Sequence, residues 1–235
     1  MNQEQFVNAL KEQNIEISNK QLLLFNRYFE VLINYNEKVN LTAIVEKKEV
    51  YLKHFFDSLT ILTNMKLKDH AKICDVGAGA GFPSVPLKIM RPDLDITIVD
   101  SLGKRIEFLN LLYKELDLKG IVAIHSRAEE FSLKYREKFD YVTARAVARL
   151  NILAELCIPL VKLNGSFISM KGATGKEELQ EANKAVKTLG CVQKELIDFS
   201  LPNEGGTRNI IIFEKIKPTP LKYPRNYGQI KKKPL

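Results

Sequence analysis

The stretch 75–87 reads DVGAGAGFPSVPL and holds three glycines, Gly77, Gly79 and Gly81, in a GxGxG spacing. An apolar run, KICDVG, leads into these glycines, and a helical pattern, PSVPLKIM, follows them. A glycine turn between a strand and a helix lies at the carboxyl edge of a parallel sheet, where this architecture binds its ligands. The ligand that the turn accepts therefore decides between several classes of enzyme.

The same order of strand and then helix continues after the turn. Five such units are KICDVG with PSVPLKIM, ITIVD with KRIEFLNLLYKEL, IVAIHS with AEEF, FDYVTARA with NILAELCIPLV, and GSFISMKG with GKEELQEANKAVKTL. Repeated β-then-α units predict a parallel, doubly wound sheet.

The next two strands break this pattern, because CVQKELIDFSL and TRNIIIFEKI follow one another around the turn signal NEGG. A terminal antiparallel hairpin on a mostly parallel, Rossmann-like sheet is typical of class I methyltransferases and unusual in dinucleotide-binding domains. The predicted fold class is therefore α/β, of the class I S-adenosylmethionine-dependent methyltransferase type.

The residues before the first strand read as helices, and Ser18 with Gln21 forms a predicted capping box ahead of an apolar helical stripe. We predict three parts: an N-terminal helical extension over 1–68, an S-adenosylmethionine-binding methyltransferase domain over 69–217, and a basic C-terminal tail over 218–235.

Two acids near the glycine turn indicate its ligand. Asp75 lies where an acid would repel a pyrophosphate but suit a cationic amino-acid group, and Asp100 ends the second strand, the usual place of an acid that binds ribose hydroxyls. The spacing differs from the dinucleotide GxGxxG, and no Walker lysine follows the last glycine. S-adenosylmethionine fits this pattern, with Gly77, Gly79 and Asp100 as predicted contacts, and a tight turn without a ligand is the alternative.

The end of the fourth strand, YVTARAVARL, narrows the acceptor. It lacks the Asn/Asp-Pro-Pro-aromatic motif of enzymes that methylate exocyclic amines. Pyrimidine C5 methylation needs a cysteine nucleophile, and none of Cys74, Cys157 and Cys191 is placed for that role. An acceptor with its own lone pair, such as a ring nitrogen, needs only orientation, so no strong general base is expected.

The formal net charge of +8 is concentrated near the C-terminus. Residues 215–235 hold six lysines, one arginine and no acid, which leaves 29 basic and 28 acidic residues elsewhere. This tail is expected to contact nucleic acid, helped by Tyr223 and Tyr227 among the cations, with its prolines keeping it extended. The alternatives are a solvated charge run and a tail that packs on the body through Leu221, Tyr223 and Tyr227.

The remaining composition favours a cytoplasmic protein. Three dispersed cysteines without a CxxC spacing suit free thiols in a reducing compartment. The three histidines form no ligand cluster, so no metal is expected. No secretion signal and no apolar run of membrane-spanning length is visible.

Matching segments along nearly the whole chain resemble the RNA small-subunit methyltransferase G family, also called glucose-inhibited division protein B. They are NLT at 40–42, HFFDSL at 54–59, DVGAGAGFP at 75–83, VDSLGKRIEFL at 99–109, RAEE at 127–130, FDYVTARAVA at 139–148, KG at 171–172, TRNIIIFEK at 207–215 and YPRNYGQIKKKPL at 223–235. The resemblance implies transfer of a methyl group from S-adenosylmethionine to N7 of a guanine in 16S rRNA, in the small ribosomal subunit.

By this resemblance, cofactor contacts fall on Gly77, Phe82, Ala128, Glu129 and Arg145. Ala128 and Glu129 would approach the adenine, and Phe82 would wall the site. For Arg145, a bridge to a carboxylate is the alternative.

Lys171, Arg208 and Arg225 are the predicted RNA contacts, and an ordinary exposed lysine is the alternative for Lys171. The partner is expected to be 16S rRNA or the small ribosomal subunit, bound by a monomer. Two other functions stay open, a small-molecule methyltransferase and a non-catalytic ribosome-binding factor.

Overall fold

The computed structural model describes residues 1–235, and its centre is one sheet of seven strands in the order β3-β2-β1-β4-β5-β7-β6. The strands are β1 (Lys72–Val76), β2 (Asp95–Asp100), β3 (Ile121–His125), β4 (Phe139–Arg145), β5 (Val161–Lys171), β6 (Cys191–Ser200) and β7 (Thr207–Lys215). The strands β1 to β5 pair in parallel, whereas β7 pairs antiparallel with both β5 and β6. The predicted parallel sheet with a terminal hairpin is confirmed.

Helices cover both faces of this sheet. They are α1 (Gln3–Glu12), α2 (Asn19–Asn36), α3 (Lys47–Val50), α4 (Asp57–Asn64), α5 (Ser84–Met90), α6 (Gly103–Glu115), α7 (Ala128–Lys134), α8 (Leu150–Cys157), α9 (Gly175–Thr188) and α10 (Tyr227–Lys232). A π-helical stretch, Tyr51–Phe56, joins α3 to α4. None of the helices combines the length and the apolar character that a bilayer crossing requires.

Each sheet face has its own apolar core. The first core joins Phe25, Tyr28 and Leu32 of α2 to Ile73 and Ile98 of the central strands. The predicted capping box at the start of α2 is present, with the Ser18 side chain accepting from the backbone of the third helical residue. The N-terminal helices therefore complete the domain's core, which buries their apolar stripe.

Strand alternation decides which face each polar side chain meets. Successive side chains of a strand point to opposite faces, so Arg145 on β4 and Arg208 on β7 lie on the face covered by the N-terminal helices. Lys171 on β5 lies on the opposite face, against α9, where it pairs with Glu178. These three of the four predicted functional cations are thus divided between two faces of the sheet.

The C-terminal segment, residues 218–235, is partly helical, and the expectation of an extended tail is wrong for α10. The stretch between Pro224 and Pro234 contains no proline, and the Asn226 side chain caps its helix by accepting from the backbone N–H of Gln229 at 3.0 Å. A capped, proline-free stretch forms a helix readily, since nothing removes its backbone donors.

This segment packs on the second core. Thr219, Tyr223 and Ile230 are buried. The Arg136 guanidinium donates to the backbone carbonyls of Thr219 and, at 2.7 Å, of Tyr223. Packing on the body, which was the alternative reading of the tail, is therefore what the structure shows, although Leu221 takes no part because it is 90% exposed.

Candidate functional site

The glycine turn lets the backbone pass close to its neighbours. Gly77 and Gly79 have φ angles of +75° and +59°, a region that favours glycine. The Gly77 N–H donates to the Val99 carbonyl at 2.8 Å, and a Cβ atom on Gly77 would meet Val147 at 2.7 Å. A Cβ atom on Gly79 would meet nothing within 4 Å. The turn is thus tightly packed at Gly77 and open at Gly79.

A cavity of about 450 Å³ opens at the carboxyl ends of β1, β2, β3 and β4. All seven residues predicted to contact the cofactor line it, namely Gly77, Gly79, Phe82, Asp100, Ala128, Glu129 and Arg145. They come from four separate strand ends, which a parallel sheet brings to a common edge. Sequence reasoning therefore placed these residues in one site.

Asp100 presents a fixed carboxylate to this cavity. Its Oδ1 accepts from the Leu102 N–H at 3.0 Å, and its Oδ2 accepts from the Gly79 N–H at 3.3 Å. The Arg105 guanidinium, on the first turns of α6, pairs with the same Oδ2 at 3.1 Å and also lines the cavity. These donors hold the carboxylate in one orientation, and Arg105 is a site residue that the sequence reasoning missed.

Asp75 does not line the cavity, and its predicted role toward a cationic ligand is wrong. Strand alternation turns its side chain under the turn, where it is fully buried and its Oδ2 accepts from the Ser84 hydroxyl at 2.6 Å. Its Oδ1 has no hydrogen-bond partner. Burial raises the pKa of this carboxyl to about 7, and the bond from Ser84 opposes that rise. Asp75 thus supports the turn from below.

Phe82 forms an aromatic wall of the cavity, as expected. Its ring stacks between Tyr28 of α2, at 5.4 Å between centroids, and His54, at 4.4 Å. The Arg145 guanidinium lies 5.0 Å from the centroid of the same ring, within the range of a cation–π contact. The N-terminal helices therefore supply two of the side chains that hold Phe82 in place.

His54 is held neutral at the boundary of the cavity. Its Nδ1 lies 3.2 Å from the Lys53 carbonyl oxygen and 3.3 Å from the Arg145 guanidinium, and its Nε2 shares a hydrogen bond with the Thr42 hydroxyl at 2.9 Å. Burial, together with the charge of Arg145, lowers the pKa of His54 to about 3. The Asn36 side chain fixes the NLT loop by accepting from the Leu41 N–H at 2.7 Å. His54 thus positions its neighbours and is a poor base near neutral pH.

A second cavity, of about 560 Å³, adjoins the first. The residues common to both linings are His54, Arg145, Ala146 and Val147. The second lining contains five cations, Lys53, Arg145, Arg149, Lys171 and Arg208, and two carboxylates, Asp57 and Glu178. Lys53 and Arg149 also pair with Glu49 and Glu181 outside the lining, so five cations meet four carboxylates. The remaining positive charge favours an anionic ligand beside the cofactor cavity.

Asp57 joins two arginines at the edge of this second cavity. Its Oδ2 pairs with Arg145 at 2.9 Å and its Oδ1 pairs with Arg208 at 3.0 Å. Asp57 begins α4 directly after the π-helical stretch, a local irregularity that is frequent at functional sites. The carboxylate bridge considered for Arg145 is thus present, in a residue that also lines both cavities.

The three predicted RNA contacts differ in exposure. The Lys171 side chain is 6% exposed and pairs with Glu178 at 2.8 Å, so the alternative of an ordinary exposed lysine is wrong. The Arg225 guanidinium pairs with the buried Glu155 at 2.6 Å. Arg208 is 23% exposed and lines the second cavity. The Arg225 side chain is 23% exposed as well, and Arg208 pairs with the buried Asp57 as Arg225 pairs with Glu155. Lys171 is therefore the internal member, and Arg208 is the partly exposed member that lines the second cavity.

The cysteines are free and buried, Cys74 in β1, Cys157 at the end of α8 and Cys191 at the start of β6. Burial raises the pKa of all three thiols, that of Cys191 to about 12. Their protonation and burial fit no nucleophilic role. No three His, Cys, Asp or Glu side chains come together in a group that could hold a metal ion.

The lining of the first cavity fits S-adenosylmethionine. Asp100 offers a carboxylate to ribose hydroxyls, and Ala128, Leu156 and Tyr227 offer apolar surface to an adenine. Tyr227 comes from the C-terminal segment and was not predicted to line this cavity. Its only signal in the sequence was an aromatic ring in the YPRNYGQ motif.

Solved structures share this fold. A SAM-dependent methyltransferase from Aquifex aeolicus has a TM-score of 0.57 at 14% identity, covering 78% of this chain and 98% of that chain. A 16S rRNA (adenine(1408)-N(1))-methyltransferase mutant from Catenulisporales acidiphilia has a TM-score of 0.52 at 13% identity, covering 65% of this chain and 88% of that chain. At these identities the likeness shows the class I methyltransferase fold alone.

Curated relatives match the chain over its whole length. Proteins named ribosomal RNA small subunit methyltransferase G are 54% identical in Lysinibacillus sphaericus, covering 100% of both chains, and 54% identical in Bacillus cereus, covering 100% of this chain and 99% of the relative. A protein of the same name in Exiguobacterium sibiricum is 52% identical, with 100% of both chains covered. The sequence model of the family rRNA small subunit methyltransferase G matches residues 21–210. The chain belongs to the rRNA small subunit methyltransferase G family.

Proposed function

We propose that this chain transfers a methyl group from S-adenosylmethionine to N7 of a guanine in 16S rRNA. The observation that carries the proposal is the pair of adjoining cavities. One fits the cofactor, and the other is cationic and shares a wall with it at Arg145, Ala146 and Val147. An RNA acceptor in the second cavity would bring its base next to the cofactor.

The residues of the first cavity would bind and orient the cofactor. S-adenosylmethionine supplies an electrophilic methyl group on its sulfonium when it is bound. Asp100 would accept hydrogen bonds from the ribose, Ala128 and Glu129 would lie against the adenine, and Phe82 would exclude water from one side. Gly79 leaves room for close approach, because its Cβ position faces open space.

The second cavity would accept the target nucleotide. Arg208 and Lys53 offer positive charge to phosphate oxygens, which position nucleic acids without reading their sequence. Guanine N7 carries a lone pair, so the reaction needs orientation more than a general base. The low pKa of His54 agrees with that, since a group with a pKa of about 3 takes up a proton poorly.

The target within the cell is part of the same proposal. We expect the chain to work in the cytoplasm as a monomer on the RNA of the small ribosomal subunit, either free or assembled. The three predicted parts of the chain would serve this function together, because both flanking parts contribute to the cofactor cavity. His54 comes from the part that ends at residue 68, and Tyr227 comes from the part that begins at residue 218.

A labelling experiment tests the proposal. The protein is incubated with S-adenosylmethionine labelled in its methyl group and with naked 16S rRNA, assembled small subunits or a metabolite extract. We expect the label in 16S rRNA, at a guanine position. Reduction followed by aniline treatment should cleave the RNA chain at that position, because this treatment cleaves RNA at 7-methylguanosine. A label found only in metabolites would indicate a small-molecule methyltransferase. Tight binding to subunits without any transfer would indicate a non-catalytic factor.

A further inference from the structure

The cofactor cavity has two distinct ends. At one end its lining is shared with the second cavity through His54, Arg145 and Val147. In the sheet, β3 lies three strands away from β4, so Ala128 of α7, which follows β3, lines the cavity away from that shared end. Tyr227 of α10 lines the cavity on the same side, because its ring contacts Arg127, the residue before Ala128. A methyl group that passes to an acceptor must lie at the shared end, so the nucleoside end of the cofactor belongs beside α7 and α10.

An ion pair on α8 fixes the C-terminal segment beside this nucleoside end. Glu155 is wholly buried, and its carboxylate accepts two side-chain hydrogen bonds from Arg225, at 2.8 and 2.6 Å. The Arg225 backbone N–H donates to the same carboxylate at 2.9 Å. The next residue on the helix, Leu156, lines the cofactor cavity. One short helix therefore contacts the cavity and the C-terminal segment at adjacent residues.

Tyr227 is held in position from more than one side. The Arg127 guanidinium lies 5.6 Å from its ring centroid. Ile230, three residues later and one helical turn away, is fully buried in the second core. The Tyr227 ring is half-buried against that core, and it also lines the cavity. Such a ring offers an aromatic surface that needs little ordering when a ligand arrives.

We propose that the C-terminal segment is a wall of the cofactor site, in which Tyr227 contacts the adenine of the bound nucleoside. An adenine gains favourable contact with an aromatic side chain. The inference rests on the cofactor of the proposed function and is independent of the acceptor. It assigns the C-terminal segment to cofactor binding, whereas the positive charge of the segment had predicted RNA binding.

Cofactor binding and the order of this segment are then coupled. A ligand that binds only when Tyr227 is in place stabilises the packed segment by mass action. Local opening of the segment exposes its basic residues to trypsin, and Lys222, Lys231 and Lys232 lie on its surface. Bound nucleoside should therefore slow tryptic release of the segment from the intact protein.

Calorimetry on substituted proteins tests the contact directly. The ligands are S-adenosylhomocysteine and adenosine, and the variants are Tyr227→Ala and Tyr227→Phe. Leu221→Ala is the matched control, because Leu221 lies in the same segment but is 90% exposed. We expect Tyr227→Ala to weaken both ligands about tenfold, the scale of a lost aromatic contact with a base, whereas Tyr227→Phe and Leu221→Ala retain wild-type affinity.

The outcomes separate this inference from the proposed function. Unchanged affinity of a folded Tyr227→Ala protein for both ligands would overturn the inference, even if the wild-type protein methylates rRNA. Failure of rRNA methylation would leave the nucleoside affinities as predicted here. If Tyr227→Ala does not fold, trypsin digestion of the wild-type chain decides, because equal release of the segment with and without S-adenosylhomocysteine contradicts the coupling.

Discussion

Asp75 makes the stability of the protein depend on pH. Burial raises the pKa of its carboxyl from an ordinary value of 3.8 to about 7. As pH rises, the unfolded chain releases this proton first, so the folded state loses stability through the range from about 4 to about 7. The stability that the protonated carboxyl allows is thus fully present below the pKa of the unfolded chain, about 4, and lost above the pKa of the folded protein, about 7.

Replacing Asp75 by Asn should flatten this dependence. Asparagine keeps the shape and the acceptor for the Ser84 hydroxyl but cannot ionise, so we expect a smaller fall in Tm between pH 5 and pH 8. Thermal melts across that range measure it. Asp117→Asn is the control, because that side chain is 85% exposed. Equal falls for Asp75→Asn and wild type would show that Asp75 is already ionised at pH 5.

Asp100 carries the second prediction for a single residue. Asp100→Ala removes a carboxylate that lines the cofactor cavity, so S-adenosylmethionine should bind more weakly by about 1.5–3 kcal/mol, the scale of hydrogen bonds to a charged group. Titration calorimetry gives the affinity, and circular dichroism checks that the variant folds. A folded variant with wild-type affinity would remove Asp100 from the site.

The strand β7 carries the residue that best separates RNA binding from cofactor binding. Arg208 lines only the second cavity, whereas Arg145 lines both. We expect Arg208→Ala to raise the KM for RNA and leave the affinity for S-adenosylmethionine unchanged, since Asp57 keeps its bond to Arg145. Arg145→Ala should impair cofactor binding or methyl transfer more than folding.

Steady-state kinetics with varied RNA, and calorimetry with the cofactor, distinguish these two variants. Lys194→Ala on the neighbouring strand β6 is the control, since this exposed lysine lines neither cavity. A lower cofactor affinity in Arg208→Ala, or an unchanged KM for RNA, would count against the assignment of the second cavity to the acceptor.

An ion pair with a wholly buried carboxylate joins the C-terminal segment to α8. Arg225→Ala leaves the wholly buried Glu155 without a guanidinium partner, and an uncompensated buried charge costs about 3–5 kcal/mol. Urea unfolding should show a loss of that size, and Glu155→Gln in the same chain should restore part of it by removing the charge. The exposed Lys222→Ala is the control. A loss below that of the control would mean that the pair is unimportant.

Across the whole molecule, local patterns predicted the fold well. The alternation of strands and helices, the glycine turn and the hairpin signal are short-range features, and each determined its element. The sites at strand ends followed because parallel strands share an edge. The contacts that were missed join distant parts of the chain, such as Tyr227 to the cofactor cavity and Arg208 to Asp57, and no local pattern encodes them.

The charge of a residue predicted its role less well than the side chains around it in the fold. Lys171 and Arg225 carry the positive charge that RNA binding would use, yet each pairs with a buried or nearly buried carboxylate. Asp75 was assigned to the ligand from its distance to the glycines, but strand alternation points it away. Exposure and pairing depend on the tertiary packing, which composition and spacing do not report.

The exposed charge of the C-terminal segment still supports a prediction about RNA. Because the segment packs on the body, removing residues 218–235 would disturb folding and cofactor binding together, so truncation cannot isolate a contribution to RNA binding. Lys231, Lys232 and Lys233 are exposed and outside any ion pair in the structure, so replacing all three by Gln tests the charge alone.

We expect this triple variant to keep its Tm and its cofactor affinity. Each lost phosphate contact should flatten the slope of log affinity against log salt by about 0.7 for single-stranded RNA, so the slope should change by up to about two units. Filter binding of RNA over a series of salt concentrations measures it. A slope identical to that of the wild type would show that these lysines face solvent in the complex.

The three buried cysteines can report local unfolding of the protein. A thiol reagent cannot reach Cys74, Cys157 or Cys191 while the protein is closed, and each raised pKa keeps the thiol in its unreactive form. Modification therefore follows the rate and extent of local unfolding. Because the three thiols lie in the inner strand β1, at the end of α8 and at the start of the edge strand β6, their separate labelling rates would rank three regions by local stability without any introduced probe.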